Sequence, residues 1–467
     1  MPLHRWPRLY VSGPLPDDQY EALAARAAAL GATHLEVGDL PRKPRHEKSD
    51  PADPYLEYSF ILGCLFRYLA PDELRAMTPL AYQEEVLATL QRRCASLRRH
   101  GLHGRLWLLD PHAWPEEVFA AHPEWRGPRV DYPPRTRRPY FAPCIDHPEV
   151  LRLYRETVRR LLTLCPEIDT FRLTINDSGS GVCWSQHLYS GTNGPAACQG
   201  RAMGERLRDF MQAWLEGARA AGVEARVLMS PRGLSPAQAE EGRQRQPPGG
   251  IVLPQPSGFP NSHAGSGGPR PTLGLANPIG FLNGLAEFQD PPEVHLHLTC
   301  ELDWRLAERF VRQPVRGYAE RATWLLAFAA EWVGTDRAEA LVSAWRTLES
   351  AYRRMTFMPW GGLLIEHGAL SKRWINRPFV VDHARLGPGE TEYWEPFLFT
   401  AGGEREVENL FNIHAIQVID GVNHARGLYA NCHQGAGELR QAATALEGFA
   451  VPELTLLAAR LRCLGHL

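Results

Sequence analysis

The chain has 467 residues, with 51 Lys+Arg against 53 Asp+Glu and a formal net charge of −2 at pH 7. That balance creates no global field to recruit nucleic acid or an anionic membrane surface, and no stretch approaches the ~20 apolar residues of a membrane helix. The 9 cysteines are odd in number, scattered and without a CxxC pair, which argues against a disulfide framework or a zinc ribbon. The N-terminal MPLHRWPRLYVSG has no apolar run of signal-peptide length, so a soluble, cytoplasmic protein is expected.

Short apolar runs alternate with helical patterns along the chain. Arg8–Gly13 reads as the first strand, and Asp17–Gly31 as an alanine-rich helix with an acidic start and a glycine stop. Ala32–Gly38 is the second strand, Ala81–Gly101 a long amphipathic helix, and Gly104–Asp110 the third strand. A Pro-rich, aromatic insertion follows over His112 to Cys144. Pro148–Cys165 is a helix, Thr170–Asp177 the fourth strand, Arg201–Gly222 a helix and Val223–Ser230 the fifth strand. Pro236–Gln244 is a helix and Gly250–Pro254 the sixth strand, followed by a Gly-, Pro- and Asn-rich stretch over Pro256–Pro292. Glu293–Cys300 is the seventh strand, Gln313–Val333 and Ala338–Met355 are helices, and Gly361–Gly368 is the eighth strand. Helical periodicity then returns in Glu404–Val418 and Glu438–Leu464.

Repeated βα units imply a parallel sheet, and βαβ crossovers are right-handed in nearly all cases. The expected class is therefore α/β, a (β/α)8 barrel over 1–382 with long strand-to-helix loops, followed by a helical C-terminal extension over 383–467. No GxGxxG follows the first strand, so a dinucleotide-binding sheet has no support.

In such a barrel the chemistry sits at the C-terminal strand ends. Those ends are rich in carboxylates: Glu36 in the second strand, Asp110 after the third, Asn176-Asp177 after the fourth, Glu301 and Asp303 after the seventh, and Glu366 after the eighth. Two carboxylates can cleave a glycosidic bond, one protonating the leaving oxygen while the other attacks the anomeric carbon or activates water. Asp177 and Glu301 are the expected pair, because each follows a strongly apolar strand. Turn formation competes for Asp177, a loop cap for Asp303, and structural ion pairs for Glu36 and Asp110. Asn176, Glu36, Asp110, Asp303 and Glu366 are candidates for binding substrate hydroxyls. The 13 tryptophans include Trp184, Trp304 and Trp374 near strand ends, where a flat apolar face suits a sugar. Arg373 could pair with a carboxylate-bearing sugar or neutralise the acidic bowl. His295, His297 and Glu301 share parity on the seventh strand; His297 is expected at the substrate, and no metal or cofactor is expected.

The Thr174-Ile175-Asn176-Asp177 ending resembles the Asn-Glu that closes strand four in the large retaining clan of barrel glycoside hydrolases, and Glu301 is similar in position to that clan's nucleophile. Pro123-Glu124-Trp125 and Cys144–Val150 resemble linker sequence in bacterial glycosidase barrels, and the helical extension is more distantly similar to alpha-glucuronidases. The resemblance implies Asp177 as acid or acid/base, Glu301 as nucleophile or base, and a carbohydrate substrate. The clan has Glu where this chain has Asp177, and the shorter side chain widens the carboxyl gap, which favours inversion through water, but backbone placement can compensate, so retention and inversion both stay open. Two other readings fit the same barrel. One is a metal-dependent sugar isomerase or epimerase using Glu36, Asp110, Glu301 and a histidine. The other is a non-catalytic carbohydrate-binding barrel.

Overall fold

The structure, a computed structural model, describes residues 4–13, 17–38, 63–77, 80–130, 139–175, 179–185, 195–231, 233–253, 276–287, 293–356 and 422–466. Its elements in chain order are β1 (Arg8–Ser12), α1 (Tyr20–Leu30), β2 (His34–Glu36), α2 (Leu65–Tyr68), α3 (Leu80–His100), β3 (His103–Leu109), α4 (Glu116–Ala121), β4 (Arg126–Arg129) and β5 (Phe141–Pro143). There follow α5 (Pro148–Leu164), β6 (Ile168–Thr174), α6 (Ala196–Gln199), α7 (Met203–Ala220), β7 (Arg226–Ser230), α8 (Pro236–Arg245) and β8 (Gly250–Val252). The remainder are α9 (Pro278–Glu287), β9 (Glu293–His297), α10 (Glu301–Arg312), α11 (Tyr318–Val333), α12 (Ala338–Thr356), α13 (Val422–Glu447) and α14 (Pro452–His466).

The chain divides into two compact units. One comprises Leu15–Ala28 and Thr33–Gln255. Its sheet runs β8-β7-β6-β3-β2, with every neighbouring pair parallel. The centre of this sheet is β3 against β6, in register from Arg105↔Thr170 to Leu109↔Thr174. Leu106, Leu108, Leu109, Phe171 and Leu173 are all buried there, while Trp107 stays partly exposed. Its helices show why they fold locally. Pro148 opens α5 at the position where a missing N–H costs nothing, and the His147 ring accepts from the Glu149 N–H. Ser235 and Gln238 close a reciprocal capping box on α8. The buried stripe of α5 (Val150, Leu153, Tyr154, Val158, Leu161) recurs every three to four residues. Trp214 of α7 lies fully buried against Tyr154 at 5.5 Å, Phe171 at 5.1 Å and Phe210 at 6.1 Å between ring centroids.

At the N-terminal rim of this sheet, the first residues of β2 and β3 share one carboxylate. His34 Nε2 lies 3.1 Å from Asp169 Oδ1, and His103 Nδ1 lies 3.1 Å from Asp169 Oδ2. The described residues of the insertion after β3 hold α4 and the antiparallel pair β4–β5, with Gly127 pressed on the backbone of Ala142 and Pro143.

The other unit comprises Met1–Pro14, Ala29–Ala32 and Pro256–Leu467. Here β1 pairs with β9 in parallel, from Arg8↔Glu293 to Ser12↔His297. Gly13 is required at the end of this ladder, because a Cβ there would meet the Leu298 carbonyl oxygen at 2.1 Å. The buried face of α10 (Leu302, Trp304, Leu306, Ala307, Phe310) carries Phe310 onto Trp6 in a stacked pair at 6.3 Å. In the helical C-terminal part, Leu439, Ala442, Ala443 and Leu446 of α13 and Leu454, Leu457, Ala458 and Leu461 of α14 are buried. Between these two helices Ala450 takes a left-handed φ of 55°.

The mixed α/β class is as expected, but the parallel strands number seven among the described residues, five in one unit and two in the other, so a closed eight-stranded barrel is not shown. The expected eighth strand, Gly361–Gly368, and the boundary expected at 382/383 lie outside the described residues. Two elements differ from the sequence reading. The segment after β9, expected as a loop leading to a helix at Gln313, is the helix α10, because its apolar residues recur at 302, 306 and 310. The stretch over Pro256–Pro292 contains α9. No described helix is long and apolar enough to cross a membrane.

Close helix packing makes one residue critical. A Cβ on Gly217 of α7 would sit 2.4 Å from the Arg155 carbonyl oxygen of α5, whereas Gly437 of α13 has nothing within 4 Å. Gly217→Ala should therefore cost about 1–3 kcal/mol, and Gly437→Ala should add about 0.5–1 kcal/mol, read as opposite shifts of the urea unfolding midpoint.

Candidate functional site

All strands of each parallel sheet point the same way, so their C-terminal ends form one edge, and side chains there are presented together. In the first unit that edge carries Glu36, at the end of β2, and Asp110, immediately after β3. Both are buried and bonded within the protein. Glu36 accepts from Arg105 Nε at 2.8 Å, from the Trp107 N–H at 3.0 Å and from the Gly38 N–H at 3.2 Å. It therefore ties β2 to β3 and closes the turn that leaves β2. Asp110 accepts from the Leu65 N–H at 2.9 Å and from the Tyr154 hydroxyl at 3.0 Å. Burial pushes its carboxyl up to about 7, against the opposing pull of those two hydrogen bonds. Trp107 of β3 donates from Nε1 to Thr174 Oγ1, the last residue of β6, at 2.8 Å. Asn176 and Asp177 lie beyond Thr174, outside the described residues.

In the second unit the end of β9 gathers four candidates: His297, Glu301, Asp303 and Trp304. His297 ends β9 with Nδ1 3.1 Å from Ser12 Oγ on β1. Glu301 is the first residue of α10 and is half-buried, a position where a carboxylate complements the positive helix end. Asp303 is buried, accepts from both the N–H and the Oγ1 of Thr299 at 3.0 and 2.9 Å, and is pushed by burial up to about 6. It fixes the loop from which Glu301 emerges. Trp304 is buried against the body of the unit. His295, one turn of the pleat earlier, stacks on Tyr10 at 4.5 Å and lies 3.5 Å from Glu293. Glu366, Arg373 and Trp374 lie outside the described residues.

Trp184 stands elsewhere in the first unit, half-buried against three cysteines. Cys144, Cys183 and Cys198 are buried, and their sulfurs all lie within 4.8 Å of one another. Sequence inspection missed this cluster because the thiols come from three distant segments: the end of the β4–β5 insertion, the loop after β6, and α6. Metal-binding cysteines are usually recognised by close spacing, which is absent here. The only sequence signal is that all three fall in loop-like stretches around β6.

No protein-family model matches this chain, and no curated protein matches its sequence. Similar solved structures include glycoside hydrolases. A GH138 enzyme targeting pectin rhamnogalacturonan II matches at 8% identity and a TM-score of 0.49, covering 100% of this chain and 57% of its own. The chain thus spans little more than half of that enzyme. A GH36 alpha-galactosidase from Geobacillus stearothermophilus matches at 13% identity and a TM-score of 0.37, covering 65% of this chain and 41% of its own. A GH20 catalytic module of the pneumococcal exo-beta-D-N-acetylglucosaminidase matches at 8% and 0.38, covering 73% and 95%. Scores this low leave the activity to be argued from the residues of this chain.

The buried Asp110 makes stability pH-dependent. Its folded value lies above the ~3.9 of an unfolded aspartate. The stabilisation held by its protonated form is complete below about pH 4 and is lost as pH rises through about 7. Asp110→Asn keeps an acceptor for Leu65 and removes the titration. Relative to wild type, its unfolding free energy should rise on the order of 2–4 kcal/mol between about pH 4 and about pH 8, measured by urea denaturation across that range.

Proposed function

We propose that the chain is a glycoside hydrolase in which Asp177 acts as acid or acid/base and Glu301 as nucleophile or base. The observation that carries this reading is the setting of Glu301. It stands half-buried at the start of α10, directly beyond the C-terminal end of β9, while its neighbour Asp303 is held by Thr299. A carboxylate on a rigid helix start, next to a second that is locked in place, has the pre-organisation that displacement at an anomeric carbon requires. Asp177 follows the last residue of β6 by three positions, and Glu301 follows that of β9 by four, so both stand shortly after a parallel strand end. Glu36 and Asp110, the carboxylates that a metal-dependent isomerase would need, are instead bonded to backbone N–H groups and to Arg105 and Tyr154.

The reaction begins with proton donation from Asp177 to the departing glycosidic oxygen. Glu301 then supplies the electron pair, directly or through a deprotonated water, at the opposite face of the sugar. The shorter Asp177 favours the water route and inversion. Long loops after the strands favour a pocket, and with it exo action on an oligosaccharide or glycoside. Glu366, Arg373 and Trp374 are assigned to the substrate on sequence position alone.

A panel of aryl glycosides that includes uronides and N-acetylhexosaminides tests the reading. On whichever substrate is turned over, Asp177→Asn and Glu301→Gln should each lower kcat/KM by about 100- to 10,000-fold without changing the far-UV circular dichroism. Unchanged turnover in both variants would sink the assignment. Proton NMR of the first-formed anomer should show inversion.

A further inference from the structure

We infer that Cys144, Cys183 and Cys198 form a trithiolate binding site for a thiophilic divalent cation, zinc being the ion whose chemistry fits best. Three observations carry this, and none depends on the glycosidase reading.

The first is geometric. Ligands about 2.3 Å from a tetrahedral zinc stand about 3.8 Å apart, and the three sulfurs here, all within 4.8 Å of one another, need only a small contraction to reach that. The other close thiol contact among the described residues, Cys94 with Cys165, is a pair and closes no such triangle.

The second is charge. Arg206 is buried and donates from Nε to Asp146 Oδ2 at 2.6 Å and from Nη1 to the Cys183 carbonyl at 2.6 Å, leaving Nη2 buried with no hydrogen-bond partner. Arg201 donates from Nη1 to the other oxygen of Asp146 at 2.7 Å and from Nη2 to Asp209 Oδ2 at 2.6 Å, and Arg208 also pairs with Asp209. With three neutral thiols, three guanidinium groups face two carboxylates beside the cluster, an excess of one positive charge. Three thiolates around a divalent cation carry a net charge of −1, which offsets that excess.

The third is the surrounding shell. Trp184 Nε1 donates to Cys198 Sγ at 3.2 Å, the kind of outer hydrogen bond that orients a metal-bound sulfur. To do so Trp184 takes a left-handed φ of 65°, a strained conformation for a bulky residue, and Gln238 Nε2 holds its carbonyl at 2.8 Å. Asp146 Oδ2 accepts from Cys144 Sγ at 3.9 Å and from Arg206, while its Oδ1 is taken by Arg201, so Asp146 belongs to that outer shell. Binding releases the three thiol protons to solvent as three S–metal bonds form, with no change of oxidation state. The ion would staple the β4–β5 insertion and α6 to the loop after β6.

The test uses the full chain purified under reducing, metal-free conditions and then given zinc chloride alone. Elemental analysis after dialysis should find one zinc per chain, and thermal unfolding should shift upward. Cys183→Ser should abolish retention, whereas Cys94→Ser should not. Cobalt chloride with the unmodified chain needs no variant to fold, and should give the intense near-ultraviolet thiolate-to-cobalt absorption. Failure to retain zinc with a cobalt spectrum lacking thiolate bands would overturn the site, as would mapping that finds a disulfide between two of the three in the freshly purified protein.

Discussion

The parallel ladder between β3 and β6 is the constraint on which the first unit depends. Parallel strands cannot be joined by a tight turn, so each must be followed by a return segment long enough to recross the sheet. That requirement produces α5, α7 and α8, and it sets every strand end on one edge. The apolar residues of β3 and β6 alternate with Arg105, Trp107, Thr170 and Arg172 along the strands, and the carboxylates Glu36 and Asp110 fall at the strand ends.

The two classes of carboxylate there behave differently. Glu36 and Asp110 sit where the chain turns away from the sheet with unsatisfied N–H groups, and each satisfies some of them. Asp303 does the same for Thr299. Glu301, at the first position of α10, sits where a carboxylate complements the positive helix end. The position of a strand-end acid relative to the turn is invisible to residue type.

The order of helices and strands was largely legible because it is written in local periodicity. The stripe of α5 and the apolar cores of β3 and β6 announce themselves within a few residues. What failed did so for identifiable reasons. The helix α10 was hidden by its own carboxylates, since Glu301, Asp303 and Glu308 read as loop polarity unless the spacing of Leu302, Leu306 and Phe310 is weighed first. The β4–β5 pair was masked by proline, which an edge of only two short strands tolerates. The three-cysteine cluster could not be read from spacing, because its proximity is created by the folding of two separate crossings, one before β6 and one after it, around one sheet. The seventh and eighth strands of the expected barrel stand differently: β9 is found, whereas Gly361–Gly368 lies outside the described residues.

The rim opposite the carboxylates has a separate character. There His34 and His103, the opening residues of β2 and β3, converge on Asp169 of β6 and bind three strands together before any of them reaches the other end. The two rims therefore answer to different demands. Loops at the carboxylate edge can be lengthened, shortened or replaced without disturbing the histidine clasp, and the clasp can keep the strands in register while those loops drift. A sheet built this way has its strand register anchored at one end and its loops free to vary at the other.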